Sequence, residues 1–273
     1  MTGSVKTALI AGRGGLPAAL VAAMPDRPLI ASMEGFPPEG LTPDLSFRIE
    51  RLVPFLNALA DAGVTRVVLA GAVQRPRLDP ALLDPQTMQI LPRLLAGMQA
   101  GDDATLRAVI GLFEEAGIAV VGVAGLAPSL VPGAGVLAGS PSSRDEADAA
   151  RAAEIVVALG AVDVGQGAVV QQGLCLGVEA LAGTDALLAG VAALPQGLRP
   201  DAARGRGLLW KAPKPGQDLR IDLPTLGPGT VRAAAEAGLG GIAWAAGRVI
   251  LLEPAAMQEE AGRLGLFLWA RGA

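Results

Sequence analysis

The sequence contains no histidine and no tyrosine, and its 273 residues include one cysteine. These absences exclude imidazole general bases, imidazole metal ligands and phenolic acid–base chemistry. Cys175 has no partner for an internal disulfide, and its apolar neighbours predict a buried structural thiol rather than a nucleophile. A catalytic site would have to use carboxylates, amides, hydroxyls, lysine or arginine.

Long apolar runs and aromatic residues are scarce. No stretch of about twenty apolar residues runs without charge, glycine or proline, and the N-terminus has too short an apolar run for a secretory signal. We therefore expect a soluble, cytoplasmic protein. The aromatic content of 3% and the net charge of -4 disfavour nucleic-acid binding, which needs a basic face and stacking side chains.

The remaining composition indicates a folded protein with two α/β domains. The 51% hydrophobic and 18% charged content is typical of a large buried core. In the first half, strand-like apolar runs alternate with helical apolar patterns. This alternation predicts a Rossmann-like domain with a mainly parallel sheet. The strand-like runs are 6–12, 28–33, 66–72 and 118–125, and the helical patterns are 16–24, 52–61, 88–98 and 104–115.

A segment rich in glycine and proline separates the two halves. We predict a first domain at 1–130, a linker at 131–142 and a second domain at 143–273. Ser143 and Glu146 have the spacing of a capping box, which predicts a helix to about residue 159. Closely spaced apolar runs then predict a strand-rich α/β domain. They are 167–173, 174–180, 207–212, 241–247, 249–253 and 266–270.

The first strand of the first domain ends in a glycine-rich segment with one arginine. Gly12, Gly14 and Gly15 surround Arg13 where a helix would start. Glycines let a backbone approach a phosphate, and the helix N-terminus and the arginine favour negative charge. The spacing matches neither the dinucleotide motif nor the P-loop. A tight turn without a ligand is the alternative interpretation.

Two further groups are candidates for nucleotide binding in this domain. Gln74 and Arg75 follow the third strand, at the sheet edge where ligands usually bind. A solvated turn explains them equally well. Asp102 and Asp103 could contact a sugar hydroxyl or a base, or could cap a helix and pair with Arg107.

In the second domain, Glu179 follows an apolar strand, and Thr184 and Asp185 lie where the next helix would begin. Helix capping by Thr184 explains the latter two without a ligand. A carboxylate at the end of an apolar strand usually needs a partner. Lys211, Lys214 or a bound cation would be a suitable partner for the Glu179 carboxylate.

The most polar part of the sequence is the run 211–230, KAPKPGQDLRIDLPTLGPGT. Its carboxylates, cations and hydroxyls suit oxyanions and a hard cation such as Mg²⁺. If residues 220–224 form a strand, Asp222 and Arg220 share one face and meet the same ligand. A surface ion pair between the two is the alternative. The candidate residues are Lys211, Lys214, Asp218, Arg220, Asp222, Thr225 and Thr230.

Several segments together resemble one enzyme family. AGRGGLP, AGAVQRP, GDDATLR, GVEALAGTDALL, the run 211–230 and AGLGGIAWAAG are similar, in order, to the LpxI-type UDP-2,3-diacylglucosamine pyrophosphatases of lipid A biosynthesis. The resemblance implies Mg²⁺-dependent hydrolysis of UDP-2,3-diacylglucosamine to UMP and 2,3-diacylglucosamine 1-phosphate (lipid X). It also implies that the substrate lies between a nucleotide-binding first domain and a second domain for the acylated sugar phosphate.

The resemblance also implies roles for individual residues. The essential aspartate of the family lies in the segment QDLRIDLPT, and we assign it to Asp222, with Asp218 and Lys214 as further catalytic residues. Since histidine is absent, Asp222 must hold the metal, position the water, or do both. Glu179 is the second predicted metal ligand. Lys211, Arg220 and Thr225 are predicted to contact the substrate.

The lipid part of this substrate predicts an apolar groove and peripheral contact with the cytoplasmic face of the inner membrane. The sequence does not determine the oligomeric state, and a homo-oligomer is compatible with it. Two other classes of protein also fit the sequence. One is a Rossmann-like enzyme for another sugar nucleotide, and the other is a non-catalytic sensor of a nucleotide or lipid phosphate.

Overall fold

The computed structural model describes residues 5–73, 78–100 and 102–272. The chain divides into two compact units, Met1–Pro128 and Ser129–Ala273. Each unit contains a sheet with helices, so the predicted two-domain α/β organisation is confirmed. Within the described ranges, no helix is long and apolar enough to cross a membrane.

The first unit has a five-stranded parallel sheet in the order β3-β2-β1-β4-β5. The predicted Rossmann-like alternation is confirmed. The strands are β1 (Lys6–Ala11), β2 (Leu29–Met33), β3 (Leu45–Phe47), β4 (Val64–Ala70) and β5 (Ala119–Val120). The helices are α1 (Leu16–Ala23), α2 (Leu52–Asp61), α3 (Pro85–Ala100), α4 (Asp102–Glu115) and α5 (Val123–Leu126).

Two details of this sheet differ from the sequence prediction. The run 118–125 forms a strand over two residues only, because Gly122 is the N-cap of the short helix α5. The short strand β3 was not predicted. Its three residues are too few to show an alternating pattern.

The order of the strands defines a switch point between β1 and β4. From β1 the chain proceeds to β2 and β3 on one side, and later to β4 and β5 on the other. In open α/β sheets, ligands bind at the carboxyl ends of the strands at such a point. Gly12 and Arg13 follow β1 there, and Gly71 and Ala72 follow β4.

Glu50 is a buried carboxylate that fixes the connection leading into α3. It accepts hydrogen bonds from the Asp79 N–H (2.9 Å) and from Arg48 Nε (3.4 Å). Burial alone would raise the pKa of Glu50, but these hydrogen bonds and the Arg48 charge lower it below its ordinary value. The stabilisation is therefore present above the unfolded pKa and is lost as the pH falls through the lower folded value.

We expect Glu50→Gln to lower the free energy of unfolding by about 1–3 kcal/mol at neutral pH, because the amide gives up the charge-assisted bonds. The variant should also lose less stability than the wild type as the pH falls below about 4.3. Urea denaturation from neutral to acid pH measures both effects. Asp26→Asn is an exposed control. Equal acid sensitivity of Glu50→Gln and wild type would contradict the assignment.

The second unit has a six-stranded mixed sheet in the order β6-β13-β11-β9-β7-β8, and β10 and β12 form a separate pair. The predicted strand-rich α/β unit is confirmed. The strands are β6 (Gly135–Ala138), β7 (Gly167–Gln171), β8 (Leu174–Val178), β9 (Leu208–Lys211), β10 (Thr225–Leu226), β11 (Gly241–Ala245), β12 (Ile250–Leu251) and β13 (Phe267–Arg271). The helices are α6 (Ser143–Gly160), α7 (Gly183–Ala192), α8 (Pro228–Glu236) and α9 (Pro254–Leu264).

The start of this unit differs from the sequence prediction in two ways. The capping box of α6 uses Ser142 and Asp145, one residue before the predicted pair Ser143 and Glu146. Both pairs have the same spacing, so the sequence alone did not distinguish them. The segment 131–142, expected as a linker, includes β6, which pairs antiparallel with β13.

Helices cover both faces of the second sheet. Val169 of β7 and Leu209 of β9 pack in a core with residues of α7, α8 and α9. Their neighbours Ala168 and Leu208 face the opposite way, into a core with residues of α6. Strands β7 and β9 are therefore buried on both sides, and polar groups near them gather at the strand ends and in the connections.

Candidate functional site

Two strands of the second sheet, one on each side of β7, end at the same edge. Strands β8 and β9 both pair antiparallel with β7, so they run in the same direction. Glu179 directly follows β8, and Lys211 is the last residue of β9. Gly167 lies opposite Lys211, and a Cβ there would be 2.8 Å from Glu179 Oε2. A glycine at this position leaves room for the two charged side chains.

Lys211 and Glu179 form a buried ion pair. The Lys211 Nζ to Glu179 Oε2 distance is 2.6 Å, and the side chains are 4% and 11% exposed. Lys211 Nζ also donates to Thr184 Oγ1 (2.9 Å), whose hydroxyl donates to Glu179 Oε2 (2.9 Å). Lys211 is thus the partner that the sequence analysis expected for Glu179. Each charge depends on the other, because an unpaired charge in such a site is costly.

Thr184 does not cap α7, so that part of the sequence interpretation is wrong. The N-cap is Ala182, without a side-chain cap, and Thr184 lies within the first turn. Gly183, the first residue of α7, has a positive φ of 80°, a conformation that glycine adopts without a steric cost. The hydroxyl of Thr184 serves the ion pair instead. Asp185 lies in the same turn with an exposed side chain.

Residues 212–224 form turns and irregular backbone rather than a strand. Asp218 shapes this region, since its carboxylate accepts the Arg220 N–H (3.0 Å) and its main-chain oxygen accepts the N–H groups of Ile221 (3.3 Å) and Asp222 (3.4 Å). The prediction that Asp222 and Arg220 share one face of a strand is therefore wrong. A local turn built on a short polar side chain has replaced the strand.

Arg220 forms a bidentate ion pair with Asp218. Its Nε lies 3.0 and 3.1 Å from the two carboxylate oxygens of Asp218, and its Nη2 lies 2.7 Å from Oδ2. Arg220 therefore pairs with Asp218, whereas the ion pair that the sequence suggests is with Asp222. Because the Arg220 side chain is 41% exposed, its guanidinium is both oriented by Asp218 and accessible to solvent.

Amide groups hold the carboxylate of Asp222. Gln217 Nε2 donates to Asp222 Oδ2 (2.5 Å), and Gln166 Nε2 lies 3.5 Å from the same oxygen. Neither glutamine was among the predicted site residues. Gln217 lies in the run 211–230, but no role was predicted for it. Gln166 lies elsewhere in the chain, just before β7, and no spacing connects it to Asp222.

The other candidates of the run are also anchored. Lys214 Nζ donates to Asp163 Oδ1 (2.5 Å), and the side chain of Lys214 is 15% exposed. Thr225 begins β10 and pairs with Ile250 of β12. Thr230 lies in the first turn of α8. Asp222, Asp218, Arg220 and Lys214 thus belong to one connection between β9 and β10, with Lys211 at its start.

In the first unit, the predicted glycine segment lies at the β1/β4 switch point. Gly12 N–H donates to Ala70 O (2.8 Å), Arg13 forms a bridge with Ala72, and a Cβ on Gly12 would be 2.6 Å from Ala72 O. Only glycine permits this close approach. Gly14 has a φ of 90°, and Gly15 is the N-cap of α1.

The side chain of Arg13 contacts the segment after β2. Its Nη2 donates to Gly35 O (2.7 Å), and its guanidinium lies 5.3 Å from the ring centre of Phe36. The Gly14 N–H donates to Glu39 Oε1 (3.3 Å). A carboxylate therefore accepts one of the N–H groups that the sequence analysis offered to a phosphate, and Arg13 remains an exposed cation beside it.

Four predicted binding residues are not assessed by the structure. Gln74 and Arg75 lie outside the described residues. Asp102 and Asp103 contribute backbone to the start of α4, but their side chains lie outside the described part. Their roles in nucleotide binding stay predictions.

Cys175 is exposed, so the prediction of a buried thiol is wrong. It lies on β8, which is one of the two edge strands of the second sheet. An edge strand has one neighbour instead of two, and its apolar residues are correspondingly less covered. Leu174 of the same strand is 58% exposed.

Among the described residues, no group of three or more Cys, Asp or Glu side chains forms a metal cluster. The predicted ligand Glu179 has Oε2 bonded by both Lys211 and Thr184. Mg²⁺ is commonly bound through one or two carboxylates together with substrate phosphates. The residues present fit that mode, with Asp222 as the carboxylate, rather than a cage made of protein ligands.

A cavity of about 470 Å³ in the second unit contains none of the predicted site residues. Its lining includes Ser140, Asp145, Arg206 and Phe267. The cavity therefore does not mark the predicted site. The residues of that site are connected by the hydrogen bonds described above. The predicted apolar groove for acyl chains stays a prediction.

The two units define an α/β protein with polar side chains at the strand ends, where ligands of such sheets bind. Residues 6–130 match the family model described as the LpxI N-terminal domain, and residues 133–269 match the LpxI C-terminal domain. The chain therefore belongs to the LpxI family, as its motifs predicted. A relative from Caulobacter vibrioides, named UDP-2,3-diacylglucosamine pyrophosphatase LpxI, is 38% identical over 269 residues, which cover 96% of each chain.

Proposed function

We propose that the protein hydrolyses the pyrophosphate bond of UDP-2,3-diacylglucosamine to UMP and lipid X, in lipid A biosynthesis. The observation that carries this proposal is the 38% identity, over 96% of both chains, to a relative named for the pyrophosphatase activity. Matches to the family models of both domains support it.

The reaction defines what the site must supply. Water attacks one phosphorus atom while the bridging P–O bond breaks, so the water loses a proton and negative charge grows on the leaving phosphate. We assign Asp222 to accept that proton or to orient the water, since the chain has no histidine. Its carboxylate is oriented by Gln217.

Cationic side chains of the same connection are assigned to the phosphate oxygens. Arg220 presents a guanidinium that Asp218 orients, and such a planar group suits bidentate phosphate binding. Lys214, held by Asp163, supplies a second positive charge. Lys211 is 3% exposed and engaged with Glu179. We therefore assign Lys211 and Glu179 to supporting the site more than to contacting substrate.

Magnesium dependence is part of the proposal. Asp222 would hold Mg²⁺ together with pyrophosphate oxygens of the substrate. When bound, the ion supplies charge neutralisation and a lower pKa for a coordinated water. Glu179 is the weaker ligand candidate, because Lys211 and Thr184 already donate to its Oε2.

We assign the UDP portion to the first unit and the acylated sugar phosphate to the second. The switch point with Gly12, Gly14, Gly15 and Arg13 supports nucleotide binding by its position. Because the substrate carries two acyl chains, we propose that the protein acts in the cytoplasm, in peripheral contact with the inner membrane. Flotation with vesicles that contain the substrate tests this contact.

The test is hydrolysis of UDP-2,3-diacylglucosamine by the purified protein, with magnesium or with a chelator, while UMP and lipid X are quantified together. We expect equal amounts of both products with magnesium and a loss of turnover with the chelator, because the pyrophosphate charge is then unscreened. Release of neither product under any metal condition would contradict the pyrophosphatase proposal and favour a ligand sensor. Turnover of other UDP-sugars alone would favour a different sugar-nucleotide enzyme.

A further inference from the structure

Gln217 uses both ends of its amide group. It is 9% exposed. Its Nε2 donates to Oδ2 of Asp222 (2.5 Å) and also to the main-chain oxygen of Asp222. Its Oε1 accepts the Lys214 N–H (2.8 Å) and a hydrogen bond from Gln166 Nε2 (3.0 Å). Two N–H donors face Oε1, so the orientation of the amide is fixed by its neighbours.

Gln166 connects this arrangement to the sheet. Its main-chain oxygen accepts the Ala212 N–H (3.0 Å), directly after β9, and the next residue, Gly167, begins β7. Its side chain reaches both Gln217 Oε1 (3.0 Å) and Asp222 Oδ2 (3.5 Å). Asp222 lies in irregular backbone, yet two amides tie its carboxylate to a sheet edge.

We propose that Gln217 is a positioning residue for the hydrolysis, with Gln166 as its support, and that the two amides fix the direction of the Asp222 carboxylate. This inference rests on the proposed function of Asp222. A carboxylate on an irregular segment would otherwise sample several orientations, and misplacement of a reacting group by about 1 Å costs about 10²-fold in rate. Gln217 acts on the chemical step through Asp222, so its loss should lower kcat rather than raise KM.

Gln217→Glu isolates the contact with Asp222. The new carboxylate keeps an acceptor for the Lys214 N–H and for Gln166, but it places an oxygen where Nε2 faced Asp222 Oδ2. We expect kcat to fall about 10²-fold with KM unchanged within about threefold. For Gln166→Met we expect a fall in kcat of about tenfold, because Gln217 keeps its own bond to Asp222.

The measurement is steady-state hydrolysis of UDP-2,3-diacylglucosamine, corrected for the folded fraction by circular dichroism and thermal melting. Gln258→Glu, an exposed glutamine on α9, is the matched control and should retain wild-type kcat. If Gln217→Glu does not fold, Gln166→Met provides the test. A fall in activity that only follows the folded fraction, a rise in KM at constant kcat, or unchanged kinetics would each overturn the inference.

The role of Asp222 and the positioning role of Gln217 can be tested separately. If Asp222→Asn retains turnover, the proposed role of Asp222 fails, whatever Gln217→Glu does. If Asp222→Asn is inactive while Gln217→Glu and Gln166→Met retain wild-type kcat, only the positioning role fails. A selective loss of kcat in all three variants supports both.

Discussion

Asp222→Asn should lower kcat for UDP-2,3-diacylglucosamine hydrolysis by about 10³-fold or more, because it removes the charge that accepts a proton or holds a metal. The asparagine keeps the size of the side chain, and its amide oxygen can still accept the bond from Gln217 Nε2. The variant should therefore fold and bind substrate. Release of UMP and of lipid X measures turnover, and a thermal shift with substrate measures binding.

Glu259→Gln is the matched control for this loss of charge. Glu259 is an exposed carboxylate on α9, and its replacement should leave kcat unchanged. Asp218→Asn is an informative comparison, since Asp218 orients Arg220 and shapes the turn before Asp222. Its effect should be smaller than that of Asp222→Asn. Wild-type turnover in Asp222→Asn, at the same magnesium concentration, would remove Asp222 from the mechanism.

Lys211→Met should destabilise the second unit by about 3–5 kcal/mol, because it leaves Glu179 charged and buried without its cation. Met fills similar volume but cannot donate to Glu179 Oε2 or to Thr184. Adding Glu179→Gln should recover part of the loss, since the buried charge is then removed as well. Urea denaturation followed by circular dichroism measures the free energy of unfolding of each variant.

An exposed ion pair in the same unit provides the control. Arg232 lies 3.1 Å from Glu260, and its side chain is 52% exposed. Arg232→Met should therefore cost about 0–1 kcal/mol. If Lys211→Met lowers the free energy of unfolding by no more than Arg232→Met does, then Glu179 is not left as an unpaired buried charge. A rise in KM for folded Lys211→Met would show that Lys211 also contacts substrate, as the sequence analysis predicted.

The fold was predictable where a regular hydrophobic pattern extends over several residues. The apolar runs that became β1, β2, β4, β7, β9 and β11 are buried, and their spacing with helical patterns was enough to predict α/β architecture. Three short strands, β3, β6 and β10, were missed. Strand β6 lies in a segment rich in glycine and proline, and β10 has two residues, so neither shows a period.

The site was predictable in its residue types but not in its contacts. The position of Glu179 after an apolar strand correctly indicated a partner, and Lys211 provides it. The direction of Asp222 was not predictable, because the Asp218 carboxylate accepts the Arg220 N–H and turns the chain before Asp222. Gln166 could not be found at all, since only the folded sheet brings it to Asp222. Contacts between distant parts of a chain leave no local pattern.

The single exposed thiol at Cys175 makes the chain suitable for site-specific labelling without prior mutagenesis. A maleimide fluorophore or spin label would attach at one position, on the strand that ends just before Glu179. Spectra of the labelled protein, recorded as UMP, lipid X or magnesium is added, would report separately on each ligand. The edge strand β8 therefore offers a site for an optical probe on the strand that leads to Glu179.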